Sequence, residues 1–364
     1  MWANRGRLPL LLTGDRYRDP QNHERELRGL FLPAWHCVGS LDDLARDGDF
    51  ITIDLFDRPL LIRRSAGRVR AFLNVCAHRH AKLTGEKSGR CDRLRCQYHG
   101  WEYDEEGAVA KVPDARSFLP IERGGERLKP IRTDTCGKLV FVSLADEGPG
   151  LAEALGEETR SLLEEGFGPR YRPIARWEID HPANWKVPVE NALESYHVPV
   201  VHPGTFARMP GEDDERHALG DRSTTYEDWD DARSPSYRLL MRAARRSPRL
   251  SYRHHHSYPS LTIALSDWMS YLQVIVPTSP TTSRSYVRVF LYEGDRGPVG
   301  AKLLAWLAAP ALRRYIGAVL AEDGALFEDI QRGLASPDKP GPGSIGAREE
   351  RVHAFQSWII ESLE

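Results

Sequence analysis

The sequence lacks long hydrophobic runs and an excess of charge of one sign. Its 364 residues include 50 Lys and Arg against 52 Asp and Glu, a net charge of -2, so nothing favours nucleic acid as a partner. No apolar stretch approaches the ~20 residues that a membrane helix needs. The run from Leu8 to Leu12 is too short for a signal peptide and has no cleavage site after it. We therefore expect a cytoplasmic protein that binds neither nucleic acid nor membrane.

Cysteine is also scarce. An odd count of 5 in 364 residues excludes a disulfide scaffold and favours reduced thiols or metal ligands. Only Cys76 and Cys96 stand in a pattern with histidine; the others are expected to be small buried residues. A Gly-rich nucleotide fingerprint in a βαβ context is missing too, so the sequence does not predict a dinucleotide-binding domain.

The pattern along the chain predicts an α+β protein. Short β-like segments separated by turns run from about residue 35 to residue 144, which indicates a small antiparallel β domain. Beyond it, helical spacing alternates with long strands, as when a sheet packs against long helices. We divide the chain into a leading segment, 1–34, a β domain, 35–150, and an α+β domain, 151–364.

Within the α+β domain the spacing predicts specific elements. Long strands are expected in 261–293, and a long loop or lid in 208–250. The segments predicted to be helical are 151–167, 185–196, 301–335 with an interruption near Pro310, and 347–363.

Two short motifs in the β domain mix cysteine with histidine. They are Cys76-Ala77-His78 and Cys96-Gln97-Tyr98-His99. Zinc sites usually pair like with like, a C-x2-4-C knuckle with an H-x3-5-H pair. In a Rieske [2Fe–2S] cluster two cysteines hold one iron and two histidines the other, so each mixed loop can supply one ligand to each iron. The spacing favours the Rieske cluster, with zinc as the alternative.

A second constellation follows in the α+β domain. His197 and His202 are five residues apart and would diverge by ~140° on one helix. They converge only if the helix ends between them, and Pro199 and Pro203 are expected to provide that break. Two histidines and one carboxylate form the facial site of non-heme Fe(II) oxygenases, which leaves positions open for O2.

The carboxylate must come from downstream. Four carboxylates on one predicted helix are candidates: Glu322, Asp323, Glu328 and Asp329. Glu328 and Asp329 are expected to lie on its solvated face.

These motifs resemble the catalytic (alpha) subunits of Rieske non-heme iron oxygenases, also called aromatic-ring-hydroxylating oxygenases. The likeness rests on the two Cys-His loops, on Asn191-x-x-Glu194-x-Tyr196-His197 and on the Glu322-Asp323 helix. It implies an N-terminal Rieske domain and a C-terminal helix-grip domain with iron at the base of a substrate pocket. It also implies that Asp323 is the carboxylate ligand of that iron, with Glu322, Glu328 and Asp329 as alternatives. The activity implied is hydroxylation or oxidative dealkylation of a small molecule with O2, alternatively dioxygenation of an aromatic or natural-product substrate.

The resemblance also implies an assembly. Such subunits form head-to-tail homotrimers and receive electrons from a separate NAD(P)H-dependent flavin or iron–sulfur reductase. The residue three before the first iron histidine, here Glu194, bridges the histidines of two sites on neighbouring subunits, and Asn191 belongs to the same catalytic motif. Most members have Asp at that place; Glu is frequent in choline, carnitine and glycine-betaine monooxygenases.

That departure suggests a quaternary ammonium substrate, which would need an aromatic cage. Strand aromatics are candidates, although each is more simply a core residue: Tyr252, Tyr258, Trp268, Tyr271, Phe290 and Tyr292. Two rival functions stay open, an electron-transfer protein with only the Rieske cluster and a zinc-binding scaffold without redox activity.

Overall fold

A computed structural model describes residues 2–119, 125–204, 215–229, 251–266, 269–293, 299–338 and 343–364. The chain forms two compact units. One is Leu32–Ala154; the other joins the described residues up to Phe31 with Leu155–Glu364. The N-terminal residues that the sequence set apart as a leading segment therefore pack with the C-terminal part of the chain.

The strands, in chain order, are β1 (Leu8–Pro9), β2 (Trp35–Ser40), β3 (Asp49–Leu55), β4 (Arg58–Ser65), β5 (Arg68–Leu73), β6 (Ser88–Arg90), β7 (Leu94–Arg95), β8 (Glu102–Tyr103), β9 (Val109–Lys111), β10 (Pro130–Cys136), β11 (Leu139–Ser143), β12 (Tyr171–His181), β13 (Glu215–Leu219), β14 (Ser223–Trp229), β15 (Ser251–Ser257), β16 (Leu261–Leu265), β17 (Met269–Ser279), β18 (Thr282–Tyr292) and β19 (Ser344–Ile345). The α-helices are α1 (Pro20–Glu26), α2 (Leu151–Gly166), α3 (Lys186–Ala192), α4 (Val198–Val201), α5 (Val299–Ala335) and α6 (Glu350–Leu363). A π-helical turn covers Leu27–Phe31, and 3₁₀ turns cover Gly14–Tyr17, Ala115–Phe118 and Ala347–Glu349.

The first unit is an antiparallel β fold. Seven strands pair in the order β2-β11-β10-β5-β4-β3-β6, and β7-β8-β9 form a smaller sheet. Its core joins Phe50, Leu61 and Phe72 to the buried Cys76 and Cys96. The two cysteines thus lie where strand ends reach the hydrophobic core, and the predicted antiparallel β domain is confirmed.

The second unit is a sheet that packs on long helices. Its strands follow the order β12-β18-β17-β16-β15-β14-β13, with antiparallel neighbours throughout. Alternate residues of β18 are buried, the period expected of a strand with one covered face. Val287 and Val289 pack there against Ile316 of α5. The predicted α+β class is confirmed.

Three details of the sequence-based prediction were wrong. The helix predicted for 185–196 ends at Ala192, because His197 starts a separate turn. α5 continues through Pro310 without the predicted interruption. Part of the predicted loop forms β13 and β14, which pair with each other and, through β14, with β15; the rest of 208–250 lies outside the described residues.

Candidate metal centres

The two Cys-His loops share one backbone pattern. The amide of Cys76 donates to the carbonyl of Ala81 at 2.8 Å, and the amide of His80 to the carbonyl of Cys76 at 3.1 Å. The same bonds recur twenty residues on, from Cys96 to Trp101 at 2.8 Å and from Gly100 to Cys96 at 3.0 Å. His80 (φ 58°) and Gly100 (φ 73°) are both left-handed.

The side chains of the two loops meet. The rings of His78 and His99 are 4.7 Å apart, and His78 stacks on Trp101 with an interplanar angle of 2°. Burial raises the pKa of the Cys76 thiol, partly opposed by the Tyr103 hydroxyl, which lies 2.9 Å from Cys76 Sγ. All four predicted ligands therefore lie on one pair of equivalent loops, the arrangement that a two-iron cluster needs.

The loops are less suited to zinc. A tetrahedral zinc site gathers its ligands around one ion. Among the residues that the structure describes, His197, His202 and Asp323 form the one group of three or more candidate ligands whose atoms all lie within 4.8 Å of one another. The cysteines and histidines of the loops do not converge in that way.

His197 and His202 converge across α4, a single turn. His197 precedes its first residue, and His202 follows its last with φ -115° and ψ 49°. That departure from helical geometry turns the second side chain, and the ring centroids are 5.3 Å apart. Pro199 lies in the first turn, where proline fits a helix, so the predicted break between the histidines comes from His202 rather than from this proline.

Asp323 of α5 completes the cluster. Its Oδ1 lies 3.0 Å from Nε2 of His202 and 3.5 Å from Nε2 of His197. This oxygen is buried and has no hydrogen-bond partner of normal geometry among the described residues. Burial raises the pKa of Asp323, opposed by Asn191 and by both histidines.

The outer nitrogens of both imidazoles face carboxylates. Nδ1 of His197 pairs with Glu194, and Nδ1 of His202 lies 2.7 Å from Oε2 of Glu322. When each Nδ1 donates its proton, each Nε2 presents a lone pair. Two lone pairs and a buried carboxylate oxygen then face one another, and a cation satisfies all three. The donor set fits Fe(II) of the facial type.

The alternative carboxylate ligands point in different directions from α5. Glu328 and Asp329 are exposed, as expected of a solvated face. Glu322 points to the outer nitrogen of His202, a role that the sequence reasoning missed. Adjacent positions on a helix differ by ~100°, so neighbours reach different sides of the same imidazole.

The candidate cage residues fall into two groups. Tyr258 stacks on Trp358 at 4.7 Å, and Phe290 is fully buried against Phe167. Tyr292 contacts Tyr171. Phe290 is therefore a core residue, and Tyr258 and Tyr292 are half-buried residues that pack against other aromatic rings. Trp268 lies outside the described residues.

Tyr271 lies within electrostatic reach of the cluster. Burial raises the pKa of Tyr271, and the charge of Asp323 adds to that rise. Tyr252 interacts electrostatically with both Tyr271 and Tyr315, the latter a residue of α5 that the sequence reasoning did not single out.

Paired Cys-His loops on an antiparallel β unit, with two histidines and a carboxylate on an α+β unit, define an iron–sulfur oxygenase. The family models agree. The ring-hydroxylating alpha subunit catalytic domain matches residues 168–364, and the Rieske [2Fe–2S] domain matches residues 34–129. The chain belongs to the ring-hydroxylating alpha subunit family. The predicted family, enzyme class, [2Fe–2S] cluster and mononuclear iron are thereby confirmed.

Individual relatives agree with this assignment. The glycine betaine monooxygenase oxygenase subunit of Chromohalobacter salexigens is 30% identical over 231 residues, 62% of this chain and 47% of that protein. The match thus spans about half of that relative's length. The carnitine monooxygenase oxygenase subunit of Acinetobacter baumannii is 26% identical over 368 residues, 95% of this chain and 92% of that protein.

A solved structure has the same fold. The quaternary ammonium Rieske monooxygenase CntA, with inhibitor MMV12, superposes with a TM-score of 0.79 at 22% identity, covering 97% of this chain and 95% of that one. None of the helices in the described ranges combines the length and apolarity that crossing a bilayer requires.

Proposed function

We propose that this chain is the oxygenase component of a Rieske monooxygenase that hydroxylates a quaternary ammonium compound at a carbon next to nitrogen or oxygen, which leads to dealkylation. The observation that carries the proposal is the buried, unsatisfied Oδ1 of Asp323 between the Nε2 atoms of His197 and His202. A family assignment gives the class of reaction, and the roles of individual residues are argued from the geometry of the site.

Each predicted ligand has one role in this proposal. Cys76 and Cys96 hold one iron of the cluster, and His78 and His99 hold the other. His197, His202 and Asp323 hold the mononuclear iron. When bound, the cluster passes electrons one at a time and the Fe(II) site activates O2.

The surrounding side chains position these ligands. Glu322 and Glu194 keep the two histidines in the tautomer that leaves Nε2 free, as carboxylates do for many metal-bound histidines. The carboxylate of Glu194 also accepts the backbone N–H of His197 at 3.1 Å. Asn191 interacts with the Asp323 carboxylate and lowers its pKa, so it is placed to orient the third ligand.

The chain functions in a head-to-tail homotrimer in this proposal. Large apolar side chains are exposed beside both sets of ligands: Tyr98, next to His99, is 58% exposed, and Tyr196 and Val200, on either side of His197, are 63% and 80% exposed. Apolar side chains grouped around a functional residue are typical of interaction surfaces. Burying the two surfaces against each other in neighbouring subunits would let Glu194 connect His197 to His99 or His78 of the next copy.

A separate NAD(P)H-dependent flavin or iron–sulfur reductase supplies the electrons. Each turnover consumes two electrons and two protons, places one oxygen atom of O2 in the substrate and releases the other as water.

The substrate class follows from two features. Glu194 stands where enzymes similar to choline, carnitine and glycine-betaine monooxygenases frequently have Glu. Tyr271 lies within electrostatic reach of Asp323, and aromatic faces are the usual way to hold a permanently charged ammonium. Both named relatives act, by their names, on quaternary ammonium compounds.

The metal assignment is tested by iron content and spectroscopy. The cluster and the mononuclear site together hold three irons per chain when full. Asp323→Ala is expected to lower this to two, to abolish turnover and to keep the electron paramagnetic signal of the reduced Rieske cluster. The matched control is Asp329→Asn, an exposed carboxylate on the same helix, expected to keep all three. Two irons in the unsubstituted protein would instead support a pure electron-transfer protein.

The substrate assignment is tested with matched ligands. Carnitine, glycine betaine and choline are compared with isosteres in which a quaternary carbon replaces the ammonium nitrogen and so removes its positive charge. O2 consumption coupled to product formation is expected with one of the ammonium compounds and not with its carbon isostere. Equal turnover of a neutral aromatic compound would contradict the substrate class while leaving the oxygenase assignment intact.

A further inference from the structure

The turn that carries Glu194 is held from both sides by arginines of the C-terminal helix region. Arg351 donates from Nη1 to the carbonyl of Leu193 at 3.4 Å, and Arg348 donates from Nη1 to Oγ of Ser195 at 3.4 Å. Leu193 and Ser195 are the residues directly before and after Glu194. Both neighbours of Glu194 are therefore attached to one distant segment of the chain, Leu193 through its carbonyl and Ser195 through its hydroxyl.

Arg351 is anchored deeply. Its residue is 2% exposed, and its other donors bond Oγ1 of Thr224 at 3.1 Å, the carbonyl of Thr224 at 3.3 Å and Nδ1 of His254 at 3.1 Å. A guanidinium placed on carbonyl and hydroxyl oxygens in the interior is costly to rearrange, because each donor left unpaired would lose its solvation without compensation. The carbonyl of Leu193 is thus fixed to β14 and β15.

Glu215 anchors the other side. Its side chain is 0% exposed and pairs with Arg348. The same Oε1 accepts the hydroxyl of Ser195 at 3.0 Å, and Oε2 accepts the indole N–H of Trp2 at 2.9 Å. Arg348 lies over the Trp2 ring, 4.9 Å from its centroid. One buried carboxylate thus joins the N-terminal segment, β13 and the C-terminal region to Ser195.

We propose that Glu215, Arg348 and Arg351 are positioning residues that fix the Glu194 turn for electron transfer between subunits. The inference rests on the proposed function, in which Glu194 connects the two metal sites. Glu194 is longer than the Asp that most of the family carries, so its carboxylate has one more rotatable bond. Holding both neighbouring residues fixes the backbone position from which this longer side chain extends.

The proposal is tested by single-turnover reoxidation of the reduced cluster, with substrate and O2 added to the iron-replete protein. Ser195→Ala removes the hydroxyl that Glu215 and Arg348 hold, and Glu215→Gln keeps the shape while removing the charge. Each is expected to slow reoxidation about tenfold, since small displacements of a reacting group have effects of that order or more. Iron content and the Kd for substrate are expected to stay unchanged.

The contacts that Glu215, Arg348 and Arg351 make around Glu194 are called the clamp below. A matched control distinguishes loss of the clamp from general loosening of the N-terminal segment. The backbone and side-chain amides of Asn4 donate to the carboxylate of Glu350 at 2.6 and 2.9 Å, not to Glu215. Asn4→Ala is expected to leave the reoxidation rate unchanged, whereas Trp2→Phe, which loses the bond to Glu215, is expected to lower it. If a Glu215 variant fails to fold, Ser195→Ala and Trp2→Phe still decide.

Two unfavourable results have different meanings. If Glu194→Ala slows reoxidation while Ser195→Ala, Glu215→Gln and Trp2→Phe do not, the clamp is refuted and the role of Glu194 stands. If Glu194→Ala itself reoxidises at the unsubstituted rate, the proposed bridge between the metal sites is refuted and the purpose of the clamp with it.

Discussion

A buried ion pair supports the helix that carries Asn191. Nζ of Lys186 lies 2.7 and 2.8 Å from the two carboxylate oxygens of Glu26, and the two side chains are 0% and 1% exposed. The indole N–H of Trp185 donates to Glu26 at 2.7 Å. Burial lowers the pKa of Lys186, and Glu26 opposes that shift.

Replacing Lys186 with Met is expected to destabilise the protein strongly. Among the residues that the structure describes, the change leaves the buried Glu26 carboxylate with the indole N–H of Trp185 as its remaining hydrogen-bond donor. Breaking one side of a buried pair in this way costs about 3–5 kcal/mol, a large share of the ~5–15 kcal/mol that stabilises a typical domain. The double variant Lys186→Met/Glu26→Gln removes both charges and keeps an acceptor for Trp185, so most of the loss should be recovered.

The assay is urea unfolding, followed by tryptophan fluorescence, of the unsubstituted protein and both variants. Arg28→Met is the matched control, because Arg28 pairs with Glu24 on the surface, where the side chains are 75% and 50% exposed. Such a pair contributes at most about 1 kcal/mol. Equal losses for Lys186→Met and Arg28→Met, or a double variant less stable than the single one, would refute the reasoning.

Three further predictions concern pH, metal affinity and redox potential. Burial lowers the pKa of His181 to about 4, so its contribution to the free energy of unfolding is present above pH ~6.5 and is lost as the pH falls towards 4. His181→Asn should remove up to about 3 kcal/mol of that pH dependence. An unchanged profile of stability against pH would contradict this. Glu322→Gln should weaken iron binding at the mononuclear site about 10–100-fold in chelator competition, whereas unchanged affinity would show that the His202 contact does not support the metal. Tyr103→Phe removes the 2.9 Å contact to Cys76 and should lower the reduction potential of the cluster. The shift is about 60 mV if the hydrogen bond is ~1.4 kcal/mol stronger in the reduced state. A redox titration without a shift would refute this.

Sequence spacing alone was enough to predict both kinds of ligand loop. A thiolate and an imidazole two or three residues apart can serve one cluster whatever surrounds them, because the chain itself keeps them close. The same holds for His197 and His202, which a single turn separates. The alternation of short β-like segments with turn residues likewise predicted the antiparallel β domain, since each short strand pairs with neighbours across tight turns.

Local pattern failed where distant segments decide the conformation. β13 and β14 lie in a charged stretch for which the local pattern predicts a loop. They become strands because β15 supplies an edge with which β14 pairs. The helix predicted through Tyr196 ends at Ala192. Beyond it the chain is held by Glu194, which accepts the N–H groups of Tyr196 and His197, and by the contacts of Leu193 and Ser195 with the C-terminal region.

The amino-acid sequence by itself determined the chemistry of this protein: thiolates, imidazoles and their spacing specify which metals it can hold. Only the tertiary structure decided which carboxylate lies against the Nε2 atoms of His197 and His202 and which side chains support the two imidazoles. Glu322 and Asp323 are neighbours on one helix, and their roles diverge because α5 presents them to opposite nitrogens of His202. Glu215 and Arg351 carry no motif at all; they gain a role only because folding buries them against the residues beside Glu194.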